Sequence, residues 1–224
     1  MGTHISLDKL AVRLLENHFT LTQKDIGSDA VMKRKGFKFF TSVYTIEGIG
    51  QLCTMRMKAF GGVVRMETVF ICSDSRDVPL FNMDWVGAGG SETFIAELYD
   101  VQLEPYPEES LIDFQVIKEC DSDLKDKKND EPRWYDDIVY PCSYHKHGRM
   151  ATDRFTDASV KYLKTFIAQL EGAPTCDPQA KAEKRREFAE RLYSEGGPAV
   201  DLWKELFGEE TAERMLLENI YAVK

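Results

Sequence analysis

The spacing of apolar positions changes twice along this chain of 224 residues. From Leu7 to Phe19, residues Leu7, Leu10, Ala11, Leu14, Leu15 and His18 fall three and four apart, which predicts an amphipathic helix with Ser6 as its N-cap. A basic link, Lys33-Arg34-Lys35-Gly36, then leads into stretches rich in β-branched and aromatic residues at 37–46, 50–60, 63–72, 79–87 and 92–103, which read as strands. Their connections are short, Gly48 to Gly50 and Gly61-Gly62 being the clearest turns, so consecutive strands are expected to pair antiparallel as a meander. Residues 104–137 lose the pattern and carry Pro105, Pro107 and Pro132, consistent with a long surface excursion. Helical spacing returns at 156–170, where Thr156 is the expected cap and Val160, Leu163, Phe166, Ile167 and Leu170 share a face. It continues at 179–193 and in shorter segments at 198–207 and 209–220, split by Gly208. Strands first and helices around them predict one α+β domain over 1–224, an antiparallel sheet covered by helices.

Composition narrows the class. A hydrophobic share of 43% supports one sizeable core, while the longest apolar runs fall far short of the ~20 residues that span a bilayer. Met1-Gly2-Thr3-His4 lacks the apolar stretch of a signal peptide, so a cytoplasmic location is expected. The five cysteines are scattered without a CxxC pair and read as free thiols, not as a disulfide framework or a cysteine zinc site. A net charge of −9 argues against general nucleic-acid binding. The charge is uneven, however: residues 104–137 hold 12 acidic against 5 basic residues, and residues 31–70 hold 7 basic against 2 acidic. Lys33-Arg34-Lys35 with Lys38, and Lys181 with Lys184-Arg185-Arg186, therefore read either as solvated faces or as a docking patch for an acidic partner.

Two carboxylates interrupt apolar strands. Glu67 shares the period-2 face of Val63, Val69 and Ile71, and Asp84 lies within Pro79-Leu80-Phe81-Asn82-Met83-Asp84-Trp85-Val86. Facing one cavity, two such groups would have raised pKa values and hold a proton near neutral pH; the alternatives are a solvent-facing carboxylate on a one-sided sheet, or Glu67 paired with Arg65 on the same face. Gly87-Ala88-Gly89-Gly90 lacks the spacing of a phosphate loop and reads as a tight turn. His145-Lys146-His147 offers two metal ligands but no third at a recognisable spacing, so no metal site is assigned.

Two stretches resemble the ferredoxin-dependent bilin reductases, a family whose distant relatives include the red chlorophyll catabolite reductases. One runs from Val69-Phe70-Ile71 through Val78-Pro79-Leu80-Phe81-Asn82-Met83-Asp84, Val86 and Gly89-Gly90 into Phe94-Ile95-Ala96-Glu97-Leu98-Tyr99-Asp100. It is similar to the family's central strands, where a Pro-Leu-Phe-x-x-Asp element supplies the catalytic aspartate. The other is Leu206-Phe207-Gly208-Glu209-Glu210-Thr211-Ala212-Glu213-Arg214 with Ile220-Tyr221, similar to the family's C-terminal helix.

The resemblance implies an α/β/α sandwich that encloses a linear tetrapyrrole between an antiparallel sheet and C-terminal helices. It implies no tightly bound cofactor, with electrons delivered singly by reduced ferredoxin or flavodoxin and protons by side chains. On that reading Asp84 matches the catalytic aspartate, and Glu67 stands where the phycocyanobilin-forming branch carries histidine. Arg56, Lys58 and Arg65 are candidates to pair with the propionates, and Asn82 is a further substrate-binding candidate. Family members place an Asp or Asn in the loop where this chain reads Glu195-Gly196-Gly197-Pro198, with Glu195 or Asp201 as possible substitutes. A carrier or sensor that binds a tetrapyrrole without reducing it is the competing expectation.

Overall fold

The computed structural model describes residues 5–127 and 132–223. The N-terminal residues 1–4, read above for a leader, and residues 128–131 of the acidic excursion lie outside the described residues. In chain order come α1 (Leu7–Glu16), β1 (Leu21–Gln23), β2 (Val31–Arg34), β3 (Phe37–Ile46), β4 (Gly50–Ala59), β5 (Val64–Ser73), β6 (Leu80–Ala88) and β7 (Ser91–Tyr99). Then follow α2 (Ile112–Cys120), β8 (Lys125–Asp126), β9 (Tyr144–Arg149), α3 (Thr152–Gly172), α4 (Pro178–Glu195), α5 (Pro198–Phe207) and α6 (Glu209–Arg214), the last continuing as a π-helical turn over Met215–Ile220.

The described strands form one antiparallel sheet in the order β1-β3-β4-β5-β6-β7-β9-β8, with β2 also paired to β3. From β3 to β7 it is the expected meander. Its turns follow from backbone chemistry: Gly89 and Gly90 link β6 to β7 with φ of 58° and 82°, the pair of positive angles that a tight two-residue hairpin turn requires. Gly50 is needed for a different reason, since a Cβ there would sit 2.1 Å from the Cys72 carbonyl oxygen.

Strand alternation separates two cores. In β6, Phe81, Met83 and Trp85 face one side and Leu80 the other. Helices α1, α2 and α3 cover the first side, where the Phe81 and Phe166 rings stack at 4.6 Å. Helices α4, α5 and α6 cover the second, where Phe39 meets Trp203 at 4.8 Å. Because both faces are buried, β6 is a nearly unbroken apolar run, and the result is a three-layer α/β/α sandwich.

Several elements differ from expectation. The basic link is the β2–β3 hairpin, with Lys35 and Gly36 at its turn. The patternless excursion contains α2, which buries Phe114 and Ile117. The polar β9 was not recognisable as a strand, yet it pairs with β7. Helix α3 begins at Thr152, not after Thr156, whose hydroxyl instead donates to the Thr152 carbonyl. The last helix is α-helical only to Arg214.

The second basic cluster is not a surface patch. Lys181 and Arg185 are 1% and 2% exposed, and only Lys184 and Arg186 face solvent. Arg185 donates to the carbonyls of Ser73, Tyr221 and Ala222 and to Asp74. Arg185→Ala would leave those buried carbonyls unpaired, so it is expected to destabilise the fold by about 3–5 kcal/mol, read as a lower urea midpoint with an unchanged slope.

Candidate functional site

Strand parity divides the candidate residues. Asp84 and Asn82 face the α4–α6 side, opposite Thr68 of β5 and Glu97 of β7 respectively. Glu67 lies opposite Trp85, on the α1–α3 side. The two carboxylates therefore do not face one cavity, which corrects the expectation that they act together. The Leu7 amide donates to Glu67 Oε2 at 2.7 Å, so this carboxylate caps α1 and meets the positive end of its dipole. Ser6, the expected cap, makes no capping bond and donates to Asp8 at 2.5 Å.

The proposed propionate contacts are on the same far side. Arg56 lies opposite Glu67 and pairs with Asp8 at 3.0 Å, while Lys58 lies opposite Arg65. None shares a face with Asp84. Glu195 pairs with Arg191 along the exposed side of α4, Asp201 stands against Gly196, and neither hydrogen bonds to Asp84. His147 is held by Ser91 at 3.1 Å and Thr93 at 3.0 Å, and no cluster of metal-ligating groups occurs among the described residues.

Around Asp84 the sheet assembles a polar ladder across β5, β6, β7 and β9. Thr68 donates to Asp84 Oδ1 at 2.5 Å, and Asn82 Nδ2 donates to Asp84 Oδ2 at 2.9 Å and to Glu97 Oε2 at 3.3 Å. Glu97 also accepts from the Tyr99 hydroxyl at 2.6 Å, and His145 Nε2 lies 2.9 Å from its Oε1. Two acceptors fix which way the Asn82 amide points, leaving its buried Oδ1 without a partner among the described residues.

The ladder sets its two acids apart. Burial pushes the Asp84 carboxyl up to about 6, against the hydrogen bonds from Thr68 and Asn82, and the Glu97 charge adds to the rise. Burial also acts to raise Glu97, but the hydrogen bond and charge of His145, with bonds from Tyr99 and Asn82, hold it below the usual carboxylate range. One acid is thus poised to carry a proton near neutral pH while its neighbour stays ionised. Aromatic rings border the ladder: Tyr99 and Tyr221 both pack on Phe188, at 5.1 and 5.5 Å, and Tyr221 also meets Phe70 at 5.7 Å.

The sequence alone does not single out Thr68, Glu97 or Tyr99 as site residues, and it marks His145 only as half of a possible metal-ligand pair. Glu97 carried the same signal as Asp84, a carboxylate inside an apolar strand. Nothing in the sequence ties His145 to a carboxylate, because its strand reads as polar loop. Cavities of about 370 Å3 beside Arg154 and about 390 Å3 beside Arg65 open away from this ladder.

No protein-family model matches the chain, and no curated protein matches its sequence. Among solved structures it is similar to phytochromobilin synthase from tomato, crystallised as the selenomethionine protein in complex with biliverdin. The TM-score is 0.76 at 11% identity, over 97% of this chain and 82% of that one. The two proteins share a fold.

A raised pKa means that the native state favours protonated Asp84. Its contribution to stability is fully present below about pH 4, lost as the pH rises through about 6, and absent at pH 7. Between pH 4 and pH 7 the wild type is expected to lose about 2 kcal/mol relative to Asp84→Asn, measured by urea unfolding at each pH.

Proposed function

We propose that this protein binds a linear tetrapyrrole of the biliverdin type against the α4–α6 face of the sheet and reduces it, with Asp84 as a proton donor. The observation that carries this reading is the ladder itself: two carboxylates bridged by Asn82, one raised to about 6 and one lowered, on the sheet face beneath the C-terminal helices. The shared fold with a synthase crystallised with biliverdin supports the choice of ligand.

The reduction adds two electrons and two protons across one double bond of the conjugated system. A reduced ferredoxin or flavodoxin supplies the electrons one at a time, and the protein brings no tightly bound cofactor of its own. Asp84 gives a proton to the bilin and is recharged from solvent. His145, whose side chain is 32% exposed, is the second proton source, linked to the ladder through Glu97. Ionised Glu97 stabilises the positive charge that protonation places on the pyrrole rings, and Phe70, Tyr99 and Tyr221 border it with aromatic surface. Glu67 has no part in this scheme, because its carboxylate is spent on α1 on the other side of the sheet.

The test is an anaerobic absorbance time course with biliverdin, ferredoxin, ferredoxin reductase and NADPH, beside a sample without ferredoxin. A ferredoxin-dependent conversion of the bound-biliverdin band to a new band is expected. A shifted band that never turns over would make the protein a binder, and no shift would mean another ligand. Asp84→Asn is expected to keep the bound-biliverdin band and lose turnover by about 10²–10⁴-fold, since the amide keeps the shape and lacks the transferable proton. His145→Gln is expected to keep the bound-biliverdin band and lower turnover by about 10-fold or more, since the amide cannot relay a proton, measured in the same time course.

A further inference from the structure

Two carboxyl groups close together on one buried sheet face compete for a proton, because both cannot ionise freely. Glu97 lies directly opposite Asn82, and Asp84 follows Asn82 by two residues on the same face, so the two acids are diagonal neighbours within reach of each other. Asn82 fills the corner between them. It is 6% exposed, and its Nδ2 divides two N–H groups between Asp84 Oδ2 and Glu97 Oε2. Holding both N–H groups toward the acids leaves Asn82 Oδ1 buried without a partner among the described residues, an arrangement that disfavours the fold.

An amide nitrogen donates and does not accept, and that decides where protons can sit. Asp84 Oδ2 faces an N–H, so the proton that Asp84 carries is confined to Oδ1, where the Thr68 hydroxyl can turn from donor to acceptor. Glu97 Oε2 is taken by the Asn82 N–H and the Tyr99 hydroxyl, so its exchange runs through Oε1, the oxygen beside His145 Nε2. The two acids therefore open in opposite directions, one toward β5 and one toward β9. The other titratable groups near the pair are Tyr99, Tyr135 before β9 and Tyr221 after the last helix, all pushed up by burial and neutral where Asp84 titrates. The buried cations of α4, Lys181 and Arg185, are already engaged by Asp77 and Asp74.

We propose that Asn82 is a positioning residue that insulates two proton sources from each other, so that the bilin takes one proton from Asp84 and the other from the Glu97–His145 side. The assignment rests on the reductase reading, in which one double bond takes up two electrons, delivered singly by the reduced carrier, and two protons. Asp84 passes from carboxyl to carboxylate, His145 from imidazolium to imidazole, and each regains its proton from solvent. With the amide in place neither donor can be emptied into the other before the bilin is protonated.

The test is an infrared pH titration of the Asp84 carboxyl stretch in the full chain, assigned by its loss in Asp84→Asn, run beside the anaerobic biliverdin assay. In wild type the band is expected to titrate as one proton at about 6, and Glu97→Gln to move its midpoint by less than about one pH unit. Asn82→Leu removes both N–H groups, which favour the charged acids, so the midpoint is expected to rise by about one pH unit or more and the transition to split into two steps. In that background Glu97→Gln is expected to shift the midpoint further than it does in wild type. Asn82→Asp, close to the native shape, substitutes a group that both accepts and donates, and is expected to broaden the titration likewise, which keeps the test open if the leucine variant does not fold. The alkaline limb of turnover is expected to follow the band upward. A wild-type midpoint and width in the variants, or a Glu97→Gln shift as large with Asn82 present as without it, overturns the assignment. No conversion of biliverdin by wild type sinks the reductase reading and the proton delivery with it, whereas conversion with an unchanged titration in the variants sinks only the role of Asn82.

Discussion

Two cations without access to water decide where the second helical layer sits. Lys181 and Arg185 project from successive turns of α4 into the sheet, and a buried charge is tolerated only with its hydrogen bonds complete. Lys181 donates to Asp77 and to the carbonyls of Val78 and Val101, while Arg185 gathers Ser73, Asp74, Tyr221 and Ala222. Asp77 in turn accepts from the amides of Leu103 and Glu104. The loop between β5 and β6, the exit of β7 and the C-terminal segment thus converge on one helix. Tyr221, which borders the polar ladder, is held in place by a backbone bond to Arg185.

From that constraint the chemistry of the site follows. The central strands are covered on both faces, so polar side chains directed inward draw most of their partners from within the sheet. Thr68, Asn82, Asp84, Glu97 and Tyr99 hydrogen bond to one another across adjacent strands, and the His145 imidazole lies within ion-pair distance of Glu97. A shared amide keeps the two carboxylates close, and their different partners make them unequal. The same burial that excludes water from Asp84 raises its proton affinity, which links the packing of the C-terminal layer to the proposed acid role.

The opposite face illustrates the reverse economy of charge. There Glu67 serves helix α1 and Arg56 serves Asp8, so both are absorbed into the fold. Among the described residues Lys38 instead rests over the Phe40 ring and Arg65 donates to the Gly62 carbonyl.

The sequence by itself determined β3 to β7 to within a few residues, because strands buried on both sides are written as β-branched and aromatic runs punctuated by glycine turns. It also determined that Asp84 is anomalous, since a carboxylate in such a run must be accommodated chemically. Only the tertiary structure decided that Glu67 and Asp84 part company: the facing of each strand depends on register, and a shift of one residue sends every side chain to the other side. Only pairing between segments some fifty residues apart could bring His145 to Glu97, because β9 has no apolar alternation of its own. The cations of α4 looked like solvent-facing residues until the carbonyls that bury them were in place, for a charge signals burial only through partners that are distant in the chain.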